Sequence, residues 1–275
     1  MKIFLRKKEG FTIIELLVAL VLSSLLIGAV YDLFVKQAKT YNINEQVVDM
    51  QQNVRAAISR AMREIRMTNF GNVGMILPAQ FTVNGQTTTL NTAVNPDTPV
   101  TDSLTIITAV GDTTLTGIPA SNQITVAAVG NLFDDAGKKY ISIDGLESNI
   151  ITNVQGDTLT LQNDLSQSYP ITDTRVFAIR AITYQVVNNN GTLSLNRDEN
   201  TGDGSEPLAD NIESLQFQYL DANGNDTKAA PSNTRIIRVA VTAKTNMTDP
   251  DYKSGDGYRR RTVSSNIYLR NMGLN

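Results

Sequence analysis

Residues 11–34 read FTIIELLVALVLSSLLIGAVYDLF, and how this stretch is read decides the fold of the rest. Only Glu15 and Asp32 are charged in it. As a helix it spans about 36 Å, against a hydrocarbon core of about 30 Å, so it is able to cross a bilayer. Lys2, Arg6, Lys7 and Lys8 precede it. The positive-inside rule then puts the N-terminus in the cytoplasm and everything beyond Tyr31 on the other side. The apolar core runs straight into YDLFVKQAKTYN with no small-residue cleavage site, so it reads as a retained segment and not as a secretory signal peptide. A simple anchor leaves two features without a reason: Gly10 directly before the run, and Glu15 inside it.

Beyond Tyr31 the helical pattern continues. Ile43, Val47, Met50, Val54, Ile58, Ala61 and Ile65 recur at spacings of 4, 3, 4, 4, 3 and 4, which is one stripe of an amphipathic helix. No proline occurs before Pro78 and Gly28 is the only interior glycine. The pattern predicts one helix over about residues 11–69, ended by NFGNVG. About three heptads without consistent flanking charge pairs suit the domain's own core better than a coiled-coil partner. Arg55, Arg60, Arg63 and Arg66 read as a solvated flank, with Arg60 and Glu64 able to pair at i,i+4.

After Pro78 the composition turns to Thr, Val, Ile and Asn with glycine turns, which predicts β structure. Three late segments alternate with period two: Leu215, Phe217 and Tyr219; Ile237, Val239, Val241 and Ala243; Val263, Ser265, Ile267 and Leu269. One-sided antiparallel strands need a cover, and the helix stripe supplies it. Between residues 78 and 175 the segments SLTIIT, NQITVAA, KYISID, NIITNV and DTLTLQ predict a small β module inserted before the main sheet. The fold class is α+β. The expected division is 1–10 as a leader, 11–69 as the helix with 11–34 in the membrane, 70–177 as a β-rich inserted lobe, and 178–275 as an antiparallel sheet.

Composition narrows the chemistry. The 275 residues contain neither histidine nor cysteine, which removes imidazole bases, thiolate nucleophiles, the usual zinc and haem ligands and every disulfide. The chain carries a net charge of -3 and its first ten residues +3, leaving -6 for the remainder. An acidic body of this kind is no general polyanion binder. No catalytic constellation converges, no cofactor is expected, and the chain is not read as an enzyme.

The pattern TIIE at Thr12–Glu15 matches a capping box, in which both residues satisfy helix N-terminal amides. The wider stretch KKEGFTIIELLVAL resembles the N-terminal signal of type IV prepilins and type II secretion pseudopilins. There a basic leader ends in Gly, a Phe follows, and a Glu lies fifth from that Phe. Lys7, Lys8, Gly10, Phe11, Thr12, Glu15 and Leu16 stand where that pattern wants them. The resemblance implies a pilin-like fold and a cut between Gly10 and Phe11 by a membrane peptidase, which then methylates the new amine of Phe11. The segment VVDMQQNVRAAISRAMREIRMTNF also resembles PilW-like minor pilins and J-type minor pseudopilins at Gln52, Arg55, Glu64, Ile65 and Arg66. EPLADNIESLQFQYLDANGN and RRRTVSSNIYLRN resemble the C-terminal sheet region of PilW-like proteins.

Within that resemblance Glu15 acquires a second role. Burying a carboxylate in hydrocarbon costs on the order of 2.5 to 3.5 kcal/mol, so an intramembrane acid normally has a partner. The cut frees an α-amine with a pKa of about 8. Pairing it with Glu15 of a neighbouring subunit relieves the desolvation of both and fixes the stagger between helices. Ser24 and Gly28 form a small-xxx-small step that allows close helix approach.

Two loops place oxygen ligands near glycine: Asp221, Asn223 and Asn225 in DANGND, and Asp198, Asn200 and Asp203 in DENTGDG. Calcium binding is one reading, although neither has the terminal Glu of an EF-hand. A hairpin turn is the stronger reading of DANGND. YRRRT at 258–262 reads as a basic strand edge and not as a nucleic-acid site.

The expected function is a minor pilin that primes or caps a type IV pilus. The partners implied are the prepilin peptidase and methyltransferase, other major and minor pilins, an inner-membrane assembly platform, and membrane lipid before assembly. The location implied is the bacterial inner membrane, single-pass, and then the pilus. A J-type pseudopilin of a secretion machine is the nearest alternative, and a signal-anchored periplasmic binding module is the next.

Overall fold

A computed structural model describes residues 10–70, 79–83, 86–90, 94–95, 102–201, 203–227, 233–253 and 255–272, the residues between 79 and 95 by their backbone alone. The chain divides into two units, Met1–Asp49 and Met50–Asn275. One helix, α1, runs over Ile13–Arg66.

The first unit is helix throughout its described part after Thr12, and its apolar side chains from Phe11 to Val35 all lie exposed. It is long and apolar enough to cross a membrane.

The second unit contains the end of α1 and fourteen strands. In chain order they are β1 (Ala79–Val83), β2 (Gln86–Leu90), β3 (Val94–Asn95), β4 (Ser103–Ala120), β5 (Gln123–Val126), β6 (Tyr140–Ile143), β7 (Glu147–Gln155) and β8 (Thr158–Leu161). Then follow β9 (Arg175–Asn189), β10 (Thr192–Asp198), β11 (Ser205–Asp210), β12 (Ile212–Leu220), β13 (Ile236–Lys244) and β14 (Arg260–Tyr268). They form a β1-β2 hairpin, a nine-stranded sheet and a three-stranded sheet β12-β13-β14, all antiparallel.

Part of the nine-stranded sheet closes on itself. β4 pairs with β5, β5 with β8, β8 with β7, β7 with β6, β6 with β9, and β9 again with β4. The result is a ring of six antiparallel strands with no edge within it. Its interior is filled by Leu115, Ile124, Ile141, Ile143, Ile151, Leu159, Leu161 and Val176, with Phe133 and Tyr169 closing in from loops. β4 achieves closure by changing partners along its length. It runs beside β9 up to Thr114, then beside β5, with register shifts at Ala109/Gly111, Leu115/Gly117 and Gly117/Ala120. Such bulges bend a strand and raise its twist. Gly111 sits at the first shift, where a Cβ would lie 2.5 Å from Leu132 Cδ2.

β4 and β9 both continue out of the ring. The first part of β4 and the second part of β9 join β3, β10 and β11 in an open extension of the same sheet. The expected boundary between residues 177 and 178 therefore falls inside β9.

The three-stranded sheet follows the alternation read from the sequence. Leu215 lies opposite Val241 and that opposite Val263, Phe217 opposite Val239 and that opposite Ser265, and Tyr219 opposite Ile237 and that opposite Ile267. The helix covers this face. Met50, Val54, Ala57, Ile58, Ala61 and Ile65 are buried, and Ile58 and Ala61 meet Tyr184, Leu195, Leu215, Phe217, Val239 and Val241 around a void of only about 10 Å³. The docked part of α1 thus shares one core with β9 and β10 on one side and β12 and β13 on the other. Burying each Val or Ile side chain of that stripe contributes about 1.5–3 kcal/mol.

The end of α1 is held by β4 and by the segment that follows β14. Its last turn leaves carbonyls without intrahelical donors. The Arg270 N–H donates to Arg66 O at 3.2 Å, the Asn271 side chain donates to Met67 O and Thr68 O at 3.1 Å each, and Thr108 Oγ1 donates to Met67 O at 3.1 Å. Asn69 follows with φ of 62° and donates its N–H to Ile107 O. The helix ends three residues before the expected Asn69, and the NFGNVG stretch from Gly71 onward lies outside the described residues.

Candidate functional site

The start of α1 is built around Thr12 and Glu15. Thr12 is the N-cap: its carbonyl accepts the Leu16 N–H at 3.2 Å and its Oγ1 accepts the Glu15 N–H at 3.3 Å. Glu15 Oε2 in turn accepts the Thr12 N–H and the Thr12 hydroxyl, both at 2.9 Å. This is the reciprocal capping box read from TIIE. All three contacts leave Glu15 Oε1 unused, and among the described residues no hydrogen bond reaches it. The box orients the Glu15 carboxylate at the helix start.

Gly10 and Phe11 lie directly before the cap. Phe11 is 91% exposed. Among the described residues a Cβ at Gly10 would meet nothing within 4 Å, and its φ is not positive. Neither space among those residues nor its backbone conformation demands glycine there. Lys7 and Lys8 lie outside the described residues.

Ser24 and Gly28 remain on the exposed helix surface, with Ser24 Oγ donating to Val21 O at 2.8 Å and open space beside Gly28. Asp32 and Lys36 pair at 2.8 Å one turn apart.

A second polar constellation lies in the body, and sequence reading missed it. Glu64 does not pair with Arg60. Its carboxylate accepts from Arg197 Nε at 2.8 and 3.2 Å and from the Tyr184 hydroxyl. Arg197 Nη1 continues to Glu199 at 2.8 Å, and Arg180 Nη1 reaches the other Glu199 oxygen at 2.6 Å. Arg60 instead forms a two-pronged pair with Glu206, at 2.7 and 2.8 Å. The chain of charge ties α1 to β9, β10 and β11. Burial pushes the Tyr184 hydroxyl well above its ordinary pKa, with Glu64 adding to the shift. Burial alone works against the Arg197 guanidinium, but the bonds from Glu64 and Glu199 outweigh it and hold Arg197 above its usual value. Arg197 is separated from Glu64 by 133 residues, and no local pattern marks the pairing.

The loops that could hold a cation are organised from within. Asp221 Oδ1 accepts the N–H groups of Asn223 and Asn225, each at 2.8 Å, and Oδ2 accepts Asn225 Nδ2 at 3.0 Å. The Asn225 side chain, its backbone and those of its neighbours keep the Asp221 carboxyl below the usual range. Leu220 and Asp226 bridge across the loop, and Gly224 has φ of 85°, so the segment is a tight turn after β12. Asn200 turns inward, donating from Nδ2 to Ala181 O at 2.8 Å and Thr183 Oγ1 at 3.0 Å. Among the described residues no group of three or more acidic side chains could hold a metal ion.

Two of the three arginines of YRRRT are also engaged. Arg259 pairs with Asp249 at 2.7 Å, and Arg260 with Glu213 at 2.6 Å and Asp256 at 2.7 Å.

With this geometry in view, the comparisons with known proteins add one match. Residues 5–31 match the prokaryotic N-terminal methylation motif. No curated protein and no solved structure matches the chain. The motif covers the leader end, the Gly10–Phe11 junction, the capping box and the exposed apolar helix as far as Tyr31. It is a prepilin-type N-terminus, and it implies processing by a prepilin peptidase.

Proposed function

We propose that this chain is a minor pilin of the PilW-like kind, inserted in the inner membrane as a prepilin, cut between Gly10 and Phe11, methylated on the Phe11 amine, and built into a type IV pilus to prime or cap its assembly. Its work is assembly, not catalysis. The observation that carries the reading is the start of α1. A glycine that none of the described residues requires is followed by an exposed Phe11, a cap that leaves Glu15 Oε1 unused, and an uncovered apolar helix.

The physical sequence is as follows. Residues 1–10 act as the leader, with Lys7 and Lys8 holding it on the cytoplasmic face. Residues 11–34 span the bilayer. Cleavage creates a cation at Phe11, directly before Thr12 of the capping box and four residues before Glu15, and the pair formed with Glu15 of the next subunit sets the axial stagger. The apolar surface then exchanges lipid for neighbouring helices, with Ser24 and Gly28 allowing close approach. The ring of strands, closed by β9, acts as a lobe presented to neighbours, while the 178–275 region supplies most of the sheet that seats α1. Prepilin peptidase, other pilins and the inner-membrane assembly platform are the partners this requires.

Filaments sheared from cells test the assembly step. The wild-type chain is expected in the sheared fraction, and Glu15→Ala is expected to remain in the membrane at equal cellular abundance. Equal recovery of both in the filament fraction would remove the role of Glu15. Recovery with a secretion pseudopilus and not with a pilus would transfer the chain to the J-type class.

A further inference from the structure

The three-stranded sheet turns one face to α1 and presents the other outward. Even-numbered residues of β12, β13 and β14 lie on the outer face, where Gln216, Arg238, Thr262, Ser264, Asn266 and Tyr268 are all exposed. Arg238 sits in the middle of it and is held in an unusual way. Arg60, Arg175, Arg180, Arg197, Arg259 and Arg260 each meet a carboxylate. Arg238 is clamped instead by two neutral oxygens, its Nε donating to Asn266 Oδ1 at 2.9 Å and its Nη1 to Gln218 Oε1 at 3.1 Å. The three side chains stand in one row across the strands, Gln218 opposite Arg238 and Arg238 opposite Asn266. Among the described residues no carboxylate pairs with Arg238. Asp226 reaches only Gln218 Nε2, at 3.4 Å. The clamp therefore fixes the plane of the guanidinium while leaving its charge uncompensated.

The surroundings of this cation are neutral and rich in donors. Arg238 takes Asn266 Oδ1, which leaves the Asn266 amide N–H groups free, and among the described residues the Ser264 and Tyr268 hydroxyls make no hydrogen bond. A cleft of about 590 Å³ is lined by Arg238, Ser264, Ser265 and Asn266. In the next row Ala240 lies between Gln216 and Ser264 and has only a methyl group to fill that position. Tyr268 follows Asn266 on the same face and is 63% exposed. It lies opposite Ile236, so it is the diagonal neighbour of Arg238, about 7–8 Å away between backbones. One sugar ring with its substituents spans that distance.

We propose that this face binds an acidic glycan, with a uronate carboxylate on Arg238, sugar hydroxyls on Asn266, Ser264 and Gln216, and the apolar side of a sugar ring against Tyr268. The charge pattern selects this occupant. A single fixed guanidinium matches a single carboxylate. Nucleic acid calls for several cations along its backbone, and Arg260, the next arginine on this face, is already neutralised by Glu213 and Asp256. A protein partner calls for an apolar centre to its contact, whereas this face offers hydroxyls and amides around one aromatic ring. Such a surface suits a ligand that is itself polyhydroxylated. Because Asn266 and Gln218 already hold Arg238, binding does not have to order it. The site goes beyond the assembly role and does not depend on processing at Gly10.

Calorimetric titration of the full-length chain in detergent micelles tests the site. The probes are short oligomers of galacturonate and of glucuronate, the neutral galactose and glucose oligomers of equal length, a polyglutamate peptide, and inorganic sulfate. At least one uronate oligomer is expected to bind, and its neutral counterpart, the peptide and sulfate are each expected to bind at least ten-fold more weakly. Arg238→Gln and Tyr268→Ala are each expected to weaken uronate binding at least ten-fold with an unchanged thermal midpoint. Arg55→Gln, which removes an exposed arginine of α1, is expected to leave binding as it is. Failure of both uronate oligomers to bind, binding that survives Arg238→Gln or Tyr268→Ala, an equal loss in Arg55→Gln, or equal affinity for the neutral oligomers, the peptide or sulfate would each overturn the proposal.

Discussion

Glu64 on the helix and Arg197 on β10 meet with Oε2 2.8 Å from Nε, and the Tyr184 hydroxyl donates to the same carboxylate. Apolar packing at 3–4 spacing alone tolerates a slip of α1 by one turn, whereas a buried ion pair with fixed hydrogen bonds does not. Removing one partner strands the other. Arg197→Met is expected to lower unfolding stability by about 1–3 kcal/mol, because the stranded Glu64 is only half-buried and keeps the Tyr184 donor. Glu64→Met combined with Arg197→Met is expected to recover most of the loss. Urea unfolding of the four members of the cycle measures both, and an additive double variant would show that the two side chains do not act together.

Ile65 is fully buried where α1 meets the sheets. Ile65→Ala is expected to cost about 2–5 kcal/mol, through lost burial and the cavity left behind. Arg55→Ala, on the exposed flank of the same helix, is expected to change stability by less than about 0.5 kcal/mol. Equal losses in the two variants would contradict the docking of this stripe.

Tyr169 closes the ring of strands, donating its hydroxyl to Glu147 at 2.9 Å. Burial pushes its pKa up to about 12, helped by the neighbouring Glu147. A folded-state pKa above the unfolded value of about 10 means the neutral phenol is the form the fold favours. That contribution is present in full below about pH 10 and is lost as pH rises towards 12. Tyr169→Phe is expected to flatten this part of the stability profile, measured by thermal midpoint between pH 9 and 12, and a profile as steep as wild type would contradict it.

Calcium is expected to leave the thermal midpoint unchanged, because Asp221 already receives two N–H groups and an amide from its own loop. Gly224→Ala is expected to destabilise the turn by on the order of 1 kcal/mol, since φ of 85° suits glycine alone. A calcium-dependent rise in the midpoint, abolished by Asp221→Ala, would restore the cation reading.

The parts of this fold that were legible in the sequence are those whose pattern is local. The helix stripe from Met50 to Ile65 and the alternation of β12, β13 and β14 each declare a buried face by their own spacing. The segments of β4 to β8 are also readable as strands, but their closure is not. β9 carries buried residues on both faces, as the run from Ala181 to Tyr184 shows, so period two is lost where the strand is covered on both sides. Glu15 and Thr12 are three residues apart, and their box is readable from TIIE. Glu64 and Arg197 come together only through the pairing of β9 with β10 and the docking of α1, and the nearer Arg60 was the natural but mistaken partner.

The central claim is that the Gly10–Phe11 junction is a processing site, and the mass of the mature N-terminus tests it most directly. The chain is purified from cells that carry a prepilin peptidase and from cells that lack it. The account predicts an N-terminus of N-methylated Phe11 in the first and an intact leader, Met1 to Gly10, in the second. A leader retained in both strains would contradict the account and leave a membrane-anchored module in its place.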